Sequence, residues 1–229
     1  MIISHQHKFI FLKTRKTAST STEFALNEIC GPDDVVTPVG SMSEPKRTGP
    51  KPRNYHYRPP VLSTEWPNLF VRYLRGGKMP LDYYQHMHGW RVKRRVGAKI
   101  WNSYFKFAFD RNPWDREVSW YSHQLVQGRF TGTFKQHLQR LPQHQVGNYE
   151  IYSCNGKVAV DFLGRYETLE ADLAYVMQKI GLETELRLGQ LNSGHRDRSI
   201  SYRDWYDDDA RDLIGKTYAR EIDLLGYSF

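Results

Sequence analysis

Short, dense apolar runs separated by polar stretches set the rhythm of this chain. Phe9-Ile10-Phe11-Leu12 is an uninterrupted apolar run, the pattern of a strand buried on both faces. Small polar residues follow from Thr14 to Thr22, and Phe24, Ala25, Leu26 and Ile29 then recur at helical spacing up to Gly31-Pro32. Phe105 to Phe109 reads as a second buried strand. Asn112-Pro113-Trp114-Asp115 starts a helix, with asparagine as cap, proline at the first position and an acid in the first turn. That helix, carried to about Val126, places Trp114, Val118 and Tyr121 on one face. The stretch Leu81 to Val96 also reads as helical. Tyr149–Ser153 and Val158–Leu163 flank Asn155-Gly156 as the arms of a hairpin. Leu169, Leu173, Val176, Met177 and Ile180 mark an amphipathic helix closed by Gly181, and Tyr206 to Leu225 a last one. Strand, polar loop and helix thus follow one another twice. This order predicts an α/β fold, a single domain over residues 1–229 with a central, mainly parallel sheet flanked by helices.

Composition narrows the partners. The 229 residues carry 33 Lys plus Arg against 25 Asp plus Glu, a net charge of +8, which favours anionic ligands without choosing among them. Fifteen tyrosines, 11 phenylalanines and 6 tryptophans belong to a packed globular chain. Cys30 and Cys154 are the two cysteines, too few for a disulfide framework or a thiolate metal site. No apolar run approaches spanning length, and a cytoplasmic location with reduced thiols is the simplest expectation. Residues 41–60 hold five of the 11 prolines and five Lys or Arg, the composition of an extended, mobile surface loop. It reads equally as a solvated insertion or as a flap over an anionic acceptor.

Between the first strand and first helix lies Lys16-Thr17-Ala18-Ser19-Thr20-Ser21. A helix start offers unpartnered N–H groups and partial positive charge, small residues admit phosphate close to the backbone, and a lysine adds a point charge. The Walker spacing is absent, because the lysine precedes the hydroxyl cluster. The segment resembles the donor-phosphosulfate loop of PAPS-dependent sulfotransferases, above all carbohydrate sulfotransferases with Pro-Lys-Thr-Ala-Ser-Thr-Ser; Arg15 stands where that proline would be. A second segment, Phe105 to Tyr121, is similar to that family's strand-loop-helix with Arg-Asn-Pro-Trp-Asp-Arg and a serine eight positions after the first arginine.

The resemblance implies a P-loop-NTPase-like sulfotransferase fold that uses PAPS as sulfuryl donor and releases PAP. It implies that Arg111 and Ser119 hold the donor's 3′-phosphate. Both lie after a strand's carboxyl end, where open α/β sheets bind ligands. Phe162 to Glu167 resembles the segment near the adenine, so Tyr166 either stacks there or fills the core. In Asn192 to Arg198, Arg196 and Arg198 match a loop that closes basic groups over the 3′-phosphate. Gln85-His86-Met87 resembles the segment that carries the general base; His86 is the first choice and His88 the substitute, since residues two apart on a helix point different ways. Lys16 is expected to offset charge on the leaving oxygen, with no metal required. The acceptor that the resemblance implies is a hydroxyl of a carbohydrate. Two rival readings are a nucleotide-dependent kinase, which needs a triphosphate site with acids placed for magnesium, and a non-enzymatic polyanion binder driven by the basic run Arg91, Lys93, Arg94 and Arg95.

Overall fold

A computed structural model describes residues 1–47, 49–57, 82–141, 146–184, 186–189 and 199–229. Five strands, β1 (Ile2–Ser4), β2 (Phe9–Phe11), β3 (Val35–Val36), β4 (Phe105–Asp110) and β7 (Phe162–Arg165), form one sheet in the order β3-β1-β2-β4-β7. The pairs β2–β4 and β4–β7 are parallel, with Phe11 opposite Phe107 and Phe109 opposite Gly164. β1 runs against both β2 and β3, so every strand except β1 points the same way. The sheet is mainly parallel, as the alternation of patterns predicts. The three-residue β1 and two-residue β3 carry too little pattern to stand out in the sequence.

Alternation explains why both faces of the sheet are buried. Ile3, Ile10, Leu12 and Ala108 point to one side and pack with Val92, Trp101, Ile151 and Tyr152. Phe9, Phe11, Phe107 and Phe109 point to the other, against Leu26, Leu169, Leu173 and Val176. The helices supplying those partners are α1 (Ser19–Glu28) and α6 (Leu169–Lys179) on one face, and α2 (Gly89–Ser103) with the single turn α5 (Tyr149–Tyr152) on the other. The helix α3 (Pro113–Val126) follows β4 and buries Trp114, Val118 and Tyr121 in a separate cluster. That cluster is shared with α4 (Phe134–Leu138), α7 (Asp208–Thr217) and α8 (Ala219–Leu225). Among the described residues no helix is long and apolar enough to cross a membrane.

At Gly164 the sheet has no room for a side chain. A Cβ there would lie 2.6 Å from Cδ1 of the fully buried Phe109 and 3.0 Å from Oδ2 of Asp172. The ring has no room to yield, so Gly164→Ala is expected to lower stability by about 1–3 kcal/mol, seen as a lower thermal midpoint. An unchanged midpoint would mean that the sheet absorbs the methyl group.

Several local expectations are corrected. The helix predicted from Leu81 begins only at Gly89 (residue 81 lies outside the described residues), because Tyr83 N–H bonds to Tyr55 O and Asp82 bridges His56. With its backbone tied to a neighbouring segment, this stretch cannot also form helical bonds. His86 therefore sits in a turn, with φ of 58°, and His88 caps α2. The helix α2 itself is broken at Gly97, whose φ of 81° suits glycine. Tyr149–Tyr152 is helical rather than extended, since Glu221 Oε1 accepts from the N–H groups of Asn148 and Tyr149 as a cap would. The hairpin shrinks to β5 (Ser153–Cys154) and β6 (Lys157–Val158), while Phe162–Arg165 joins the main sheet. The last helix starts after its cap Asp207 and breaks at Tyr218, whose hydroxyl is held by Glu117.

The described part of 41–60 packs along α1. Arg53 donates to Gly31 O, Cys30 O and Asn27 Oδ1, and the backbones of Arg53 and Val36 exchange two hydrogen bonds.

Candidate active site

The loop after β2 is shaped from within. Lys16 and Ala18 both adopt left-handed backbone, with φ of 63° and 54°, which turns the chain sharply into α1. Thr14 Oγ1 donates to Phe109 O on β4, so Thr17 must be the donor in the 2.8 Å Thr17–Thr14 hydroxyl pair. Ser19 Oγ donates to Thr14 O at 2.6 Å. The Thr14 proton fastens the loop to the sheet, and those of Thr17 and Ser19 close the loop on Thr14. From the opposite side Asn148 accepts from Arg15 N–H at 2.8 Å and donates to Arg15 O at 3.1 Å. The first turn of α1 has no side-chain cap, which leaves N–H groups of Ser19, Thr20 and Ser21 for another acceptor.

The junction after β4 is built on buried charge. Asp110 accepts from Arg116, Asn148, Tyr152 and the Arg111 N–H, all at 2.7–2.8 Å. Arg116 also reaches Glu221 at 3.2 Å. Arg111 is fixed by Asp115 at 2.6 and 2.9 Å and by the Lys16 carbonyl at 3.1 Å, and its guanidinium lies 4.1 Å above the Tyr166 ring. These bonds leave further N–H groups on Nη1 and Nη2. The i, i+4 spacing of Arg111 and Asp115 was open to reading in the sequence; Asn148 was not, because only the tertiary fold brings it to the loop.

Both junctions open on one cleft of about 1210 Å³. Lys16, Thr17, Ala18, Ser19, Thr20 and Ser21 line it, as do Arg111, Ser119, Tyr166 and His86. His88 does not line it, while Trp120, His123 and Tyr202 do without having been singled out by the sequence, and Arg15, Gln85 and Asp115 line it beside the residues that were. Arg196 and Arg198 lie outside the described residues, although Leu188, Gly189 and Ile200 on either side of that stretch border the cleft.

Lys16 and His86 are both displaced from their ordinary ranges. Burial, reinforced by the adjacent Arg111, lowers the Lys16 ammonium to about 7. Burial and the neighbouring Lys13 and Arg15 cations lower His86 to about 3, against the weaker upward pull of its hydrogen bond. His86 Nδ1 lies 3.0 Å from the Lys13 carbonyl, which can only accept. The proton therefore sits on Nδ1, and Nε2 carries the lone pair. Lys13 is itself paired with Glu23 at 2.6 Å in the interior. The cleft thus combines cations held side by side with a neutral imidazole in base form. Among the described residues no group of three or more His, Cys, Asp or Glu is placed to hold a metal ion.

Comparison with known proteins gives three matches. The model of the Sulfotransferase family matches residues 1–159. An uncharacterized protein of Archaeoglobus fulgidus is 39% identical over 104 residues, 44% of this chain and 87% of that one. The crystal structure of a sulfotransferase from Alicyclobacillus acidocaldarius aligns with 97% of this chain and 96% of its own, at 17% identity and a TM-score of 0.43.

Proposed function

Given that this chain belongs to the sulfotransferase family, we propose that it transfers the sulfuryl group of PAPS to a hydroxyl of a carbohydrate acceptor, with His86 as general base. The observation that carries this reading is the meeting of two strand-to-helix junctions in one cleft, with Lys16 and Arg111 close enough to depress the lysine. Like charges so placed are a liability in the free protein and an asset once an anion lies between them. The residues fit a nucleotide esterified at both ends. Lys16 and the N–H groups opening α1 take the 5′ end, while Arg111 and Ser119 take the 3′-phosphate, with Tyr166 beneath Arg111 as an aromatic surface. The donor supplies the sulfuryl group and a phosphate leaving group of low basicity.

The remaining roles fall to the chain. His86 Nε2 accepts the acceptor's hydroxyl proton as the new S–O bond forms, because a free alcohol is too weak an acid to ionise at neutral pH. Lys16 Nζ stabilises the negative charge that arises on the departing phosphate oxygen as the old S–O bond breaks. The hydrogen bond from Nδ1 to Lys13 O keeps the imidazole in the tautomer this transfer needs. Negative charge from the bound donor raises the basicity of His86 above its value in the free protein.

Transfer from radiolabelled PAPS to a panel of oligosaccharides, alongside calorimetric titration with PAP, tests the assignment. Lys16→Ala and Arg111→Ala are each expected to weaken PAP binding by about tenfold or more, the scale of a charged hydrogen bond. Undiminished binding in both variants would remove the nucleotide from this cleft.

Lys16 also makes PAP affinity depend on pH. Its free form titrates near 7 and an adjacent phosphate raises that value, so binding takes up a proton above pH 7. Affinity should then fall as pH rises from 7 to 9, by up to about tenfold per unit. Lys16→Arg, always charged in this range, should flatten the slope. Equal slopes for the two proteins would show that Lys16 is not a phosphate ligand.

A further inference from the structure

The buried lysines and arginines of this protein are neutralised by acids. Lys13, Lys106 and Arg116 meet Glu23, Asp161 and Asp110 at 2.6–2.7 Å. Arg111, which lines the cleft, meets Asp115 at 2.6 Å. Lys16 and Arg15 stand apart: both are half-buried in the same cleft, and neither has an acid partner among the described residues. Lys16 has its role in the transfer above; Arg15 has none. Its side chain donates to the Gly147 carbonyl at 3.2 Å, a dipole that cancels no charge, and the charge pressing on it is another cation, Arg116. A cation withdrawn from water without a counter-charge is costly, and an arriving anion relieves that cost.

The loop fixes where this charge sits. Asn148 holds the Arg15 N–H and carbonyl, and Asn148 is itself held by Asp110 and Glu221. Lys16 is the next residue. Two residues earlier, the Lys13 carbonyl accepts from His86 Nδ1 at 3.0 Å. Two residues of chain span at most about 7 Å, so the Arg15 side chain starts close to the imidazole as well as to the lysine. Its charge accordingly acts on His86, whose basicity it lowers. Lys16 serves the leaving oxygen and His86 the attacking one, the two ends of an in-line transfer. The charge of the moving group is spread over oxygens off that line, and the remaining N–H groups of Arg15 are donors for them. In the loop that this segment resembles, the position is a proline, which offers no donor.

Resting on the sulfotransferase reading above, we infer that Arg15 is a further catalytic residue, which binds the sulfuryl oxygens and stabilises their charge during transfer. The S–O bond to the acceptor forms as the S–O bond to the phosphate breaks, and the hydroxyl proton passes to His86 Nε2. Arg15 stays protonated throughout. PAPS carries the sulfuryl group and PAP does not, so Arg15 distinguishes the two.

Calorimetric titration of Arg15→Gln with PAPS and with PAP, without acceptor, tests this. Affinity for PAPS should fall about tenfold, while that for PAP stays at the wild-type value. Single-turnover transfer should fall about 10²-fold, the scale of a lost charge-stabilising donor. Arg15→Lys keeps the charge and should recover part of both. Thermal melting of the free Arg15→Gln protein should show no lower midpoint, because the change removes a cation that has no acid. Equal losses for PAPS and PAP would make Arg15 a ligand of the nucleotide, or structural support for the loop if the midpoint falls too. Either result, or unchanged PAPS affinity, overturns the inference and leaves the donor assignment standing. Wild-type protein that binds neither nucleotide would overturn the donor assignment, and this inference with it.

Discussion

His86→Asn should retain PAP binding and lose turnover by a factor of about 10² to 10⁴, the range of a positioned general base. Asparagine is chosen because its amide can still donate to the Lys13 carbonyl, as Nδ1 does at 3.0 Å, while nothing replaces Nε2. The turn at residue 86 also keeps its shape, since asparagine tolerates the positive φ of 58° found there. Single-turnover transfer from labelled PAPS, set beside calorimetric PAP affinity, separates chemistry from binding. Full turnover by the variant would dismiss His86 as the base; joint loss of affinity and turnover would make it a structural or donor-binding residue.

A second signature of the same residue appears in stability. The folded ring titrates near 3 and an unfolded histidine near 6.5, so between those values the unfolded chain binds the extra proton. Stability must therefore fall as pH drops through this window, and His86→Asn should remove that share of the slope. Urea unfolding of both proteins at pH 7 and pH 4.5 measures it. Parallel losses in the two proteins would mean that the imidazole is not held neutral.

Arg116→Met is expected to cost about 3–5 kcal/mol, the largest loss of stability among the changes considered. Arg116 and Asp110 are both 0% exposed, and Glu221 is nearly so. Removing the guanidinium leaves two carboxylates in the interior without their cation, close to the third partner Tyr152. The contrast is Lys135, whose pair with Asp207 at 3.1 Å is 73% and 53% exposed. Its loss should leave stability nearly unchanged, because water already solvates both ends. Urea denaturation of Arg116→Met and Lys135→Met makes the comparison; equal midpoints would refute the account. Arg116 also bears on the cleft, since Asp110 orients Asn148 and the Arg111 N–H, and Asn148 holds the Arg15 backbone. A weakened PAP affinity should accompany the lost stability.

The family took the place of the kinase and polyanion-binder readings because two short strings stand in the right order, each after an apolar run. Both strings depend on local rules. A strand buried on both faces must be apolar throughout, and a helix start must supply its own cap or leave N–H groups for a ligand. Such constraints act over a few residues and are written where they act. Lys16–Ser21 and Asn112–Asp115 were legible for this reason, as were the strands Phe9–Phe11 and Phe105–Asp110.

What the sequence could not determine depends on partners distant along the chain. Residues 82–83 look helical until their backbone is claimed by residues 55–56, and 149–153 look extended until Glu221 caps them. Only the tertiary structure decided which hydroxyls face the cleft, because Thr17 and Ser19 direct their protons into the loop, onto the hydroxyl and carbonyl oxygens of Thr14. It alone brought His86, and not His88, to the cleft and placed its proton on Nδ1, through one carbonyl 73 residues away. Sequence by itself determined the layered α/β plan and the cations that frame the cleft, since these follow from periodicity and residue type. Protonation, orientation and the extension of the cleft along α3 follow from burial and long-range hydrogen bonds, which exist only once the chain has folded.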